Sequence, residues 1–244
     1  MTLTVKTPDG EVLCSTHQPA GTGPWPAVMM FQDAFGVRPA AETMAARLAA
    51  VGYFVLLPNL LYRSGEFAPF DPKTVWGDDA ERQRLMKIVG AAVSPEQTMR
   101  DIGLYLAALE QLPQVKPGGV GIVGYCMGGM LAFRASAAWP EKIAAVACIH
   151  GGNLVNDKPD SPHSSASKVK ARLYFACADN DRSCTPEQRE ALTNSLKAAN
   201  VRTQVELYAG KAHGFAVHDT PAFDAEACEL HWKRTLELFS ETLG

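Results

Sequence analysis

The stretch VGIVGYCMGG, residues 120–129, constrains the fold more than any other part of this 244-residue sequence. β-Forming residues lead into a glycine-rich turn, and the helical pattern MLAFRASAAW follows directly. Cys126 stands at the centre of the turn, with Gly124 two residues before it and Gly128 two residues after it. A strand that enters a helix through so tight a turn is typical of a parallel sheet, and it presents the central side chain to a ligand.

Strands and helices alternate along the rest of the chain. Continuous apolar runs at 24–32 and 53–57 indicate strands buried on both faces. Further strands are predicted at 120–125, 143–149, 172–178 and 204–208, and helices at 40–51, 95–112, 127–138, 186–200 and 222–243. The turn signal PDG, residues 8–10, predicts an antiparallel hairpin at the start. The pattern therefore predicts an α/β fold with a mainly parallel central sheet, helices on both faces and an N-terminal hairpin.

Size and composition favour one domain over 1–244, since 47% of the residues are hydrophobic. Within it, the segment 61–94 has a weak pattern and many charges, which is typical of a lid or a binding insertion. The net charge of -3 argues against a nucleic-acid partner, and no apolar run is long enough to span a membrane. The first residues have no secretory pattern, so we expect a cytoplasmic protein whose six cysteines are reduced thiols. These cysteines form no CxxC pair, so we expect no metal site.

The position of Cys126 suits a nucleophile. The helix that follows directs its N-terminal amides and the positive end of its dipole at this residue, which favours the thiolate form. The other five cysteines lie in predicted strands, a loop and a helix, where cysteine behaves as a small apolar residue. Cys126 is therefore the one cysteine for which we predict chemistry.

A nucleophilic thiol benefits from a base and from an acid that orients it. His213, in YAGKAHGFAV after the last predicted strand, is the preferred base. His150 also ends a strand, and we expect it to line the site or its floor. The acid should precede the histidine, and ADNDRS offers Asp179 and Asp181, of which Asp181 is preferred and Asp179 stays open.

Two backbone amides should stabilise the negative charge that develops on a substrate oxygen. One belongs to Met127, the residue after the nucleophile, and the other to Ala34 in the loop FQDAFGV. Their aromatic neighbours Phe35 and Tyr125, together with Phe215 beside the histidine, are candidate pocket residues.

The motifs FQDAFGV, GYCMGG, ADNDRS and HGF, followed by an aromatic last helix, occur in one order along nearly the whole chain. In this the sequence resembles the dienelactone hydrolase family. The resemblance implies the α/β-hydrolase fold and hydrolysis of small esters or lactones by a Cys-His-Asp triad, here Cys126, His213 and Asp181, without a cofactor. It also implies that Asp33, where family members commonly carry Glu, pairs with the resting thiol and takes its proton.

The sequence departs from the family at Val217, where enzymes acting on dienelactone carry an arginine that binds the substrate carboxylate. Arg82 or Arg84 is a candidate for a second family arginine. Loss of a charge-assisted contact weakens anion binding by roughly 2 kcal/mol or more, so the sequence favours uncharged esters or lactones.

Two other classes of function compete with the hydrolase. A non-catalytic α/β-hydrolase-like binding protein would need a broken triad, and a thiol redox protein using Cys126 would need a nearby resolving cysteine, which the sequence does not reveal. The expected partner is a small-molecule substrate, and the expected state is a monomer or a small homo-oligomer.

Overall fold

A computed structural model describes all 244 residues. The strands are β1 (Thr2–Thr7), β2 (Gly10–His17), β3 (Ala27–Phe31), β4 (Phe54–Pro58), β5 (Val120–Tyr125), β6 (Ile143–Ile149), β7 (Arg172–Asn180) and β8 (Thr203–Ala212). The α-helices are α1 (Pro39–Ala50), α2 (Asp79–Ala92), α3 (Pro95–Glu110), α4 (Met127–Ala138), α5 (Pro186–Ala198) and α6 (Ala225–Leu243). None of these helices combines the length and the apolar character needed to cross a bilayer.

The eight strands form one sheet in the order β1-β2-β4-β3-β5-β6-β7-β8. The β1–β2 and β2–β4 pairs are antiparallel, and every other pair is parallel. The N-terminal hairpin therefore lies at one edge of a parallel sheet, which confirms the predicted arrangement and gives the α/β-hydrolase fold.

Two apolar layers cover the sheet. Helices α3, α4 and α5 pack on one face through residues such as Ile102, Leu131 and Leu192. Helices α1 and α6 pack on the other face, with Leu48 and Trp232 fully buried. Because both faces are covered, β3, β4 and β5 consist entirely of buried residues, as their continuous apolar runs predicted.

The segment 61–94 holds two short 3₁₀ turns and helix α2. Asp78 caps α2 by accepting hydrogen bonds from the amides of Ala80 and Glu81. A small apolar cluster of Phe70, Val75 and Leu85 packs against Ala34 and Phe35. The segment therefore contacts the loop that follows β3.

Strands β7 and β8 both run further than their sequence patterns predicted. β7 continues to Asn180 and β8 to Ala212, and these two residues are paired. The pairing of Asn180 with Ala212 resumes after an irregularity at Asp179, and it extends both strands although the local composition is typical of a loop. As a result Asp181 and His213 are the next residues of two neighbouring strands.

Candidate active site

The candidate residues gather at the carboxyl edge of the sheet. Cys126 directly follows β5, His150 follows β6, Asp181 follows β7 and His213 follows β8. These four strands are consecutive neighbours, so residues far apart in the sequence meet in one place. This edge is where ligands bind in open parallel sheets.

Cys126 lies in a strained backbone conformation, with φ 55° and ψ -116°. This positive φ is uncommon for a residue with a side chain and is found where surrounding structure enforces it. Its amide is held by the carbonyl of Ile149 at 3.0 Å. Cys126 is partly exposed, whereas the other five cysteines are buried. The turn therefore presents one thiol to solvent.

The glycines around Cys126 allow close backbone approach. A Cβ atom on Gly124 would lie 2.1 Å from the carbonyl oxygen of Gly128, and one on Gly128 would lie 2.4 Å from that of Phe31. The turn thus packs directly on the end of β3. No hydrogen bond to another group of the protein is recorded for the amides of Met127 and Ala34, the two donors that the sequence predicts for an oxyanion.

His213 is held by Asp181. Nδ1 of the imidazole lies 2.7 Å from Oδ2 of Asp181. The other oxygen, Oδ1, accepts from the amide of Ser183 at 2.8 Å and from its hydroxyl at 2.6 Å. The Asp181 side chain is 2% exposed and that of His213 is 30% exposed. The carboxylate is therefore fixed, and the ring it orients reaches the surface.

Asp179, the alternative acid, lies elsewhere. Its side chain is exposed and accepts a hydrogen bond from the amide of Gly210 at 2.9 Å, within the β7–β8 ladder. Asp181 is thus the aspartate that contacts the imidazole.

The electrostatics favour a charged imidazole. Burial opposes protonation of His213, but the negative charge of an ionised Cys126 and the hydrogen bond to Asp181 raise the pKa of His213 well above its usual value. Burial likewise opposes ionisation of Asp181, yet the hydrogen bonds from His213 and Ser183 lower the pKa of its carboxyl. The raised pKa of His213 therefore favours an imidazolium held by the carboxylate of Asp181.

Asp33 does not pair with the thiol, contrary to what the family resemblance implied. Both of its oxygens accept hydrogen bonds from the guanidinium of Arg38, at 2.7 and 2.9 Å. Arg38 also binds Asp219 with two hydrogen bonds of 2.7 and 2.8 Å. Burial works against the charge of Arg38, but these carboxylates raise its pKa. The thiol loses its predicted acid because a nearby cation binds that acid bidentately.

The floor beneath His213 is formed by buried rings. His150 is 1% exposed, and its ring centre lies 5.0 Å from that of His213. Burial and the nearby His213 lower the pKa of His150 well below its usual value, so it stays neutral. Tyr125 and Phe215 are also fully buried against His150. These two candidate pocket residues therefore support the histidines from below and do not line an open pocket.

The remaining pocket candidates differ in position. Phe35 is partly exposed and makes an edge contact with Trp76, at 6.0 Å between ring centres. Val217 is buried beside Arg38 and Asp33. Arg82 binds Asp79, three residues before it.

Arg84 binds Glu81 and lies over the ring of Phe70 at 3.7 Å. Acids in the first turn of α2 thus hold both candidate arginines on the surface of that helix. No group of three or more His, Cys, Asp or Glu side chains is arranged to hold a metal ion.

Sequence reasoning missed Ser183, Arg38 and Asp219. Ser183 carries a signal that could have been read, since a serine two residues after an aspartate commonly closes a local turn on that carboxylate. Arg38 and Asp219 are separated by 181 positions, and no local spacing indicates their contact.

A partly exposed thiol at a strand-to-helix turn, with an Asp-held histidine from the last strand, defines this molecule as an α/β hydrolase. The dienelactone hydrolase family model matches residues 13–243, and the chain belongs to that family.

Among its relatives is a carboxymethylenebutenolidase from Pseudomonas sp. (strain P51), 31% identical over 88% of this chain and 84% of that protein. A crystal structure from Klebsiella pneumoniae subsp. pneumoniae MGH 78578, provisionally described as a dienelactone hydrolase, superposes with a TM-score of 0.86 at 20% identity, over 99% of this chain and 98% of that one. A dienelactone hydrolase-like promiscuous phosphotriesterase from metagenomic libraries superposes with a TM-score of 0.80 at 23% identity, over 100% and 99%. The protein is a hydrolase of the carboxylic-ester class.

Proposed function

We propose that this protein hydrolyses small, uncharged carboxylic esters or lactones through a thioester on Cys126. The observation that carries the proposal is the 2.7 Å contact between His213 and Asp181 at the same sheet edge as the one partly exposed cysteine. A fixed carboxylate, an oriented imidazole and a reachable thiol are what nucleophilic acyl transfer requires.

In the first half of the reaction, the sulfur of Cys126 attacks the carbonyl carbon, and the electron pair of the C=O bond moves to oxygen. The amides of Ala34 and Met127 donate hydrogen bonds to that oxyanion. When the carbonyl re-forms, the C–O bond to the leaving alkoxide breaks, and the alkoxide takes a proton from the His213 imidazolium. In a lactone the resulting alcohol stays attached to the acyl group.

In the second half, neutral His213 takes a proton from water, and the hydroxide attacks the thioester. The Cys126 thiolate leaves, the carboxylic acid is released and the imidazolium is restored. Asp181 keeps Nδ1 protonated throughout, so that Nε2 is the nitrogen that accepts and returns the proton.

The preference for uncharged substrates is supported by the charges around the site. The guanidinium of Arg38 donates to Asp33, Asp219 and the carbonyl of Gly36, and Val217 adds an apolar side chain beside it. Arg82 and Arg84 are paired with acids of their own helix. A substrate carboxylate that enters a partly dehydrated site needs a cation to compensate for lost water.

The nucleophile is tested by alkylation. Iodoacetamide should modify Cys126 before the other cysteines and abolish hydrolysis of p-nitrophenyl acetate in parallel, with peptide mapping to locate the label. Cys126→Ala should be inactive, whereas Cys14→Ala, which changes a buried cysteine of the hairpin, should keep full activity. Full activity in protein labelled at Cys126 would refute the mechanism.

Substrate charge is tested by comparing kcat/KM for dienelactone with that for a neutral lactone of the same ring. We expect the neutral lactone to be the better substrate, and a clear preference for dienelactone would refute the assignment of uncharged substrates. The cytoplasmic location, the possible lid at 61–94 and the monomer or small homo-oligomer stay predictions.

A further inference from the structure

The loop after β3 and the loop after β8 are joined by a partly buried ion cluster, in which the side chain of Asp219 is 29% exposed. The first, residues 32–38, is called the β3 loop, and the second, residues 213–224, the β8 loop. Arg38 donates hydrogen bonds to Asp33 in its own loop and to Asp219 in the β8 loop. With the carbonyl of Gly36 at 3.4 Å, every N–H group of the guanidinium has an acceptor. The Arg38 side chain is 12% exposed and that of Asp33 is 6% exposed.

Each end of this cluster is rigidly tied to the active site. Oδ1 of Asp33 also accepts from the amide of Phe35 at 3.0 Å, so the carboxylate sets the backbone on either side of Ala34. In the β8 loop, the hydroxyl of Thr220 donates to the carbonyls of Gly214 and Val217 at 2.9 and 3.0 Å. Asp219 is thus anchored next to a turn that begins at the catalytic histidine.

We propose that Arg38 is a positioning residue that fixes the β3 loop, which offers the Ala34 amide, relative to the β8 loop, which carries His213. The inference rests on the proposed function, because it assigns the Ala34 amide to the oxyanion. Asp33 serves as one end of this bridge and is not free to take the proton of Cys126. One loop must present a donor to the carbonyl oxygen and the other a base to the leaving group or the attacking water, so the two loops gain from a rigid connection, since small displacements of such groups are costly.

The test uses Arg38→Met and Asp219→Asn. Arg47→Met is the matched control, because Arg47 also lies on the α1 segment and binds an acid, Glu229, with two hydrogen bonds of 2.7 and 2.6 Å. Its pair joins α1 to α6 and does not contact either loop. Asp219→Asn keeps the Arg38–Asp33 pair and gives a second variant in case Arg38→Met does not fold.

Activity should change in a way that general destabilisation does not produce. For p-nitrophenyl acetate we expect kcat of Arg38→Met to fall about tenfold or more, with KM changed less than about threefold, because the lost interaction acts on the transition state. Inhibition by an aryl trifluoromethyl ketone, whose adduct with Cys126 carries an oxyanion, should weaken by the same factor. Alkylation of Cys126 by iodoacetamide needs no oxyanion donor and should keep its rate.

Hydrogen–deuterium exchange gives a readout that does not depend on turnover. Exchange in both loops should increase in Arg38→Met and Asp219→Asn, and should be unchanged there in Arg47→Met. Folded Arg38→Met with unaltered exchange and unaltered kcat would overturn the inference, as would a lower kcat with unchanged ketone inhibition. If the unmodified protein hydrolyses no ester, the proposed function fails, while exchange still decides whether Arg38 fixes the two loops.

Discussion

Asp181→Asn is the most informative single substitution, because the structure determines which way the new amide must point. Oδ1 of Asp181 accepts both the amide and the hydroxyl of Ser183. The oxygen of the introduced side chain must keep that place, since an NH₂ group there would face a backbone N–H. The NH₂ group therefore faces Nδ1 of His213, where Oδ2 now lies at 2.7 Å.

An NH₂ group in that position donates to Nδ1, so Nδ1 must be the unprotonated nitrogen. The proton then resides on Nε2, and His213 can no longer accept one from the thiol or from water. In the unmodified protein the carboxylate of Asp181 helps to raise the pKa of His213, and the variant loses this stabilisation of the imidazolium. The same tautomer error lowers kcat by about 10³–10⁴-fold in other hydrolases with a triad, equivalent to about 4–5 kcal/mol of activation free energy.

The assay is kcat for p-nitrophenyl acetate at pH 7.5, with the rate of Cys126 alkylation measured on the same samples. Asp179→Asn is the control, since it changes an exposed aspartate two residues away that binds only the amide of Gly210. We expect Asp179→Asn to stay within about threefold of the unmodified enzyme, as surface substitutions usually have small effects. A loss below about tenfold in Asp181→Asn, or a larger loss in Asp179→Asn, would refute the assignment of Asp181.

Two further substitutions test the frame around the site. Gly128→Ala places a Cβ 2.4 Å from the carbonyl oxygen of Phe31, so it should lower Tm and kcat together. In the control Gly90→Ala, on α2, the new Cβ meets no atom within 4 Å and should stabilise the protein by up to about 1 kcal/mol. Equal Tm shifts in the two variants would contradict this expectation. Burial lowers the pKa of His231 to about 3. In the unfolded chain the histidine has a pKa of about 6.5, so below that pH it binds a proton that the folded chain does not bind. The free energy of unfolding is therefore unaffected by His231 above pH 6.5 and falls by about 1.4 kcal/mol per pH unit below it. In urea unfolding, His231→Gln should reduce the stability lost between pH 7.5 and pH 5 by about 2 kcal/mol, and an undiminished loss would exclude His231 as the cause.

Local chemistry explains why much of the fold could be predicted. Ser94 and Pro95 predicted the start of α3, and the hydroxyl of Ser94 accepts a hydrogen bond from the amide of Gln97 as expected. The continuous apolar strands predicted a sheet covered on both faces. The glycines around Cys126 predicted the turn, because only glycine allows the backbone contacts that the turn requires.

The ends of β7 and β8 show where local reasoning fails. The polar residues after Ala178 favoured a loop, but pairing of Asn180 with Ala212 extends both strands. That register, which neither segment encodes alone, brings Asp181 and His213 side by side. The sequence could therefore name both aspartates and favour Asp181, while the contact of Asp181 with His213 is visible only in the tertiary structure.

The sequence by itself determined the alternation of strands and helices, the turn at Cys126 and the family, because these depend on residues close together in the chain. Only the tertiary structure decided the partner of Asp33. A carboxylate binds the cation that the fold brings nearest, and Arg38 reaches both Asp33 and the distant Asp219. Side chains from separate segments compete for such contacts once the chain is folded, so their outcome follows from three-dimensional distances and not from spacing along the sequence.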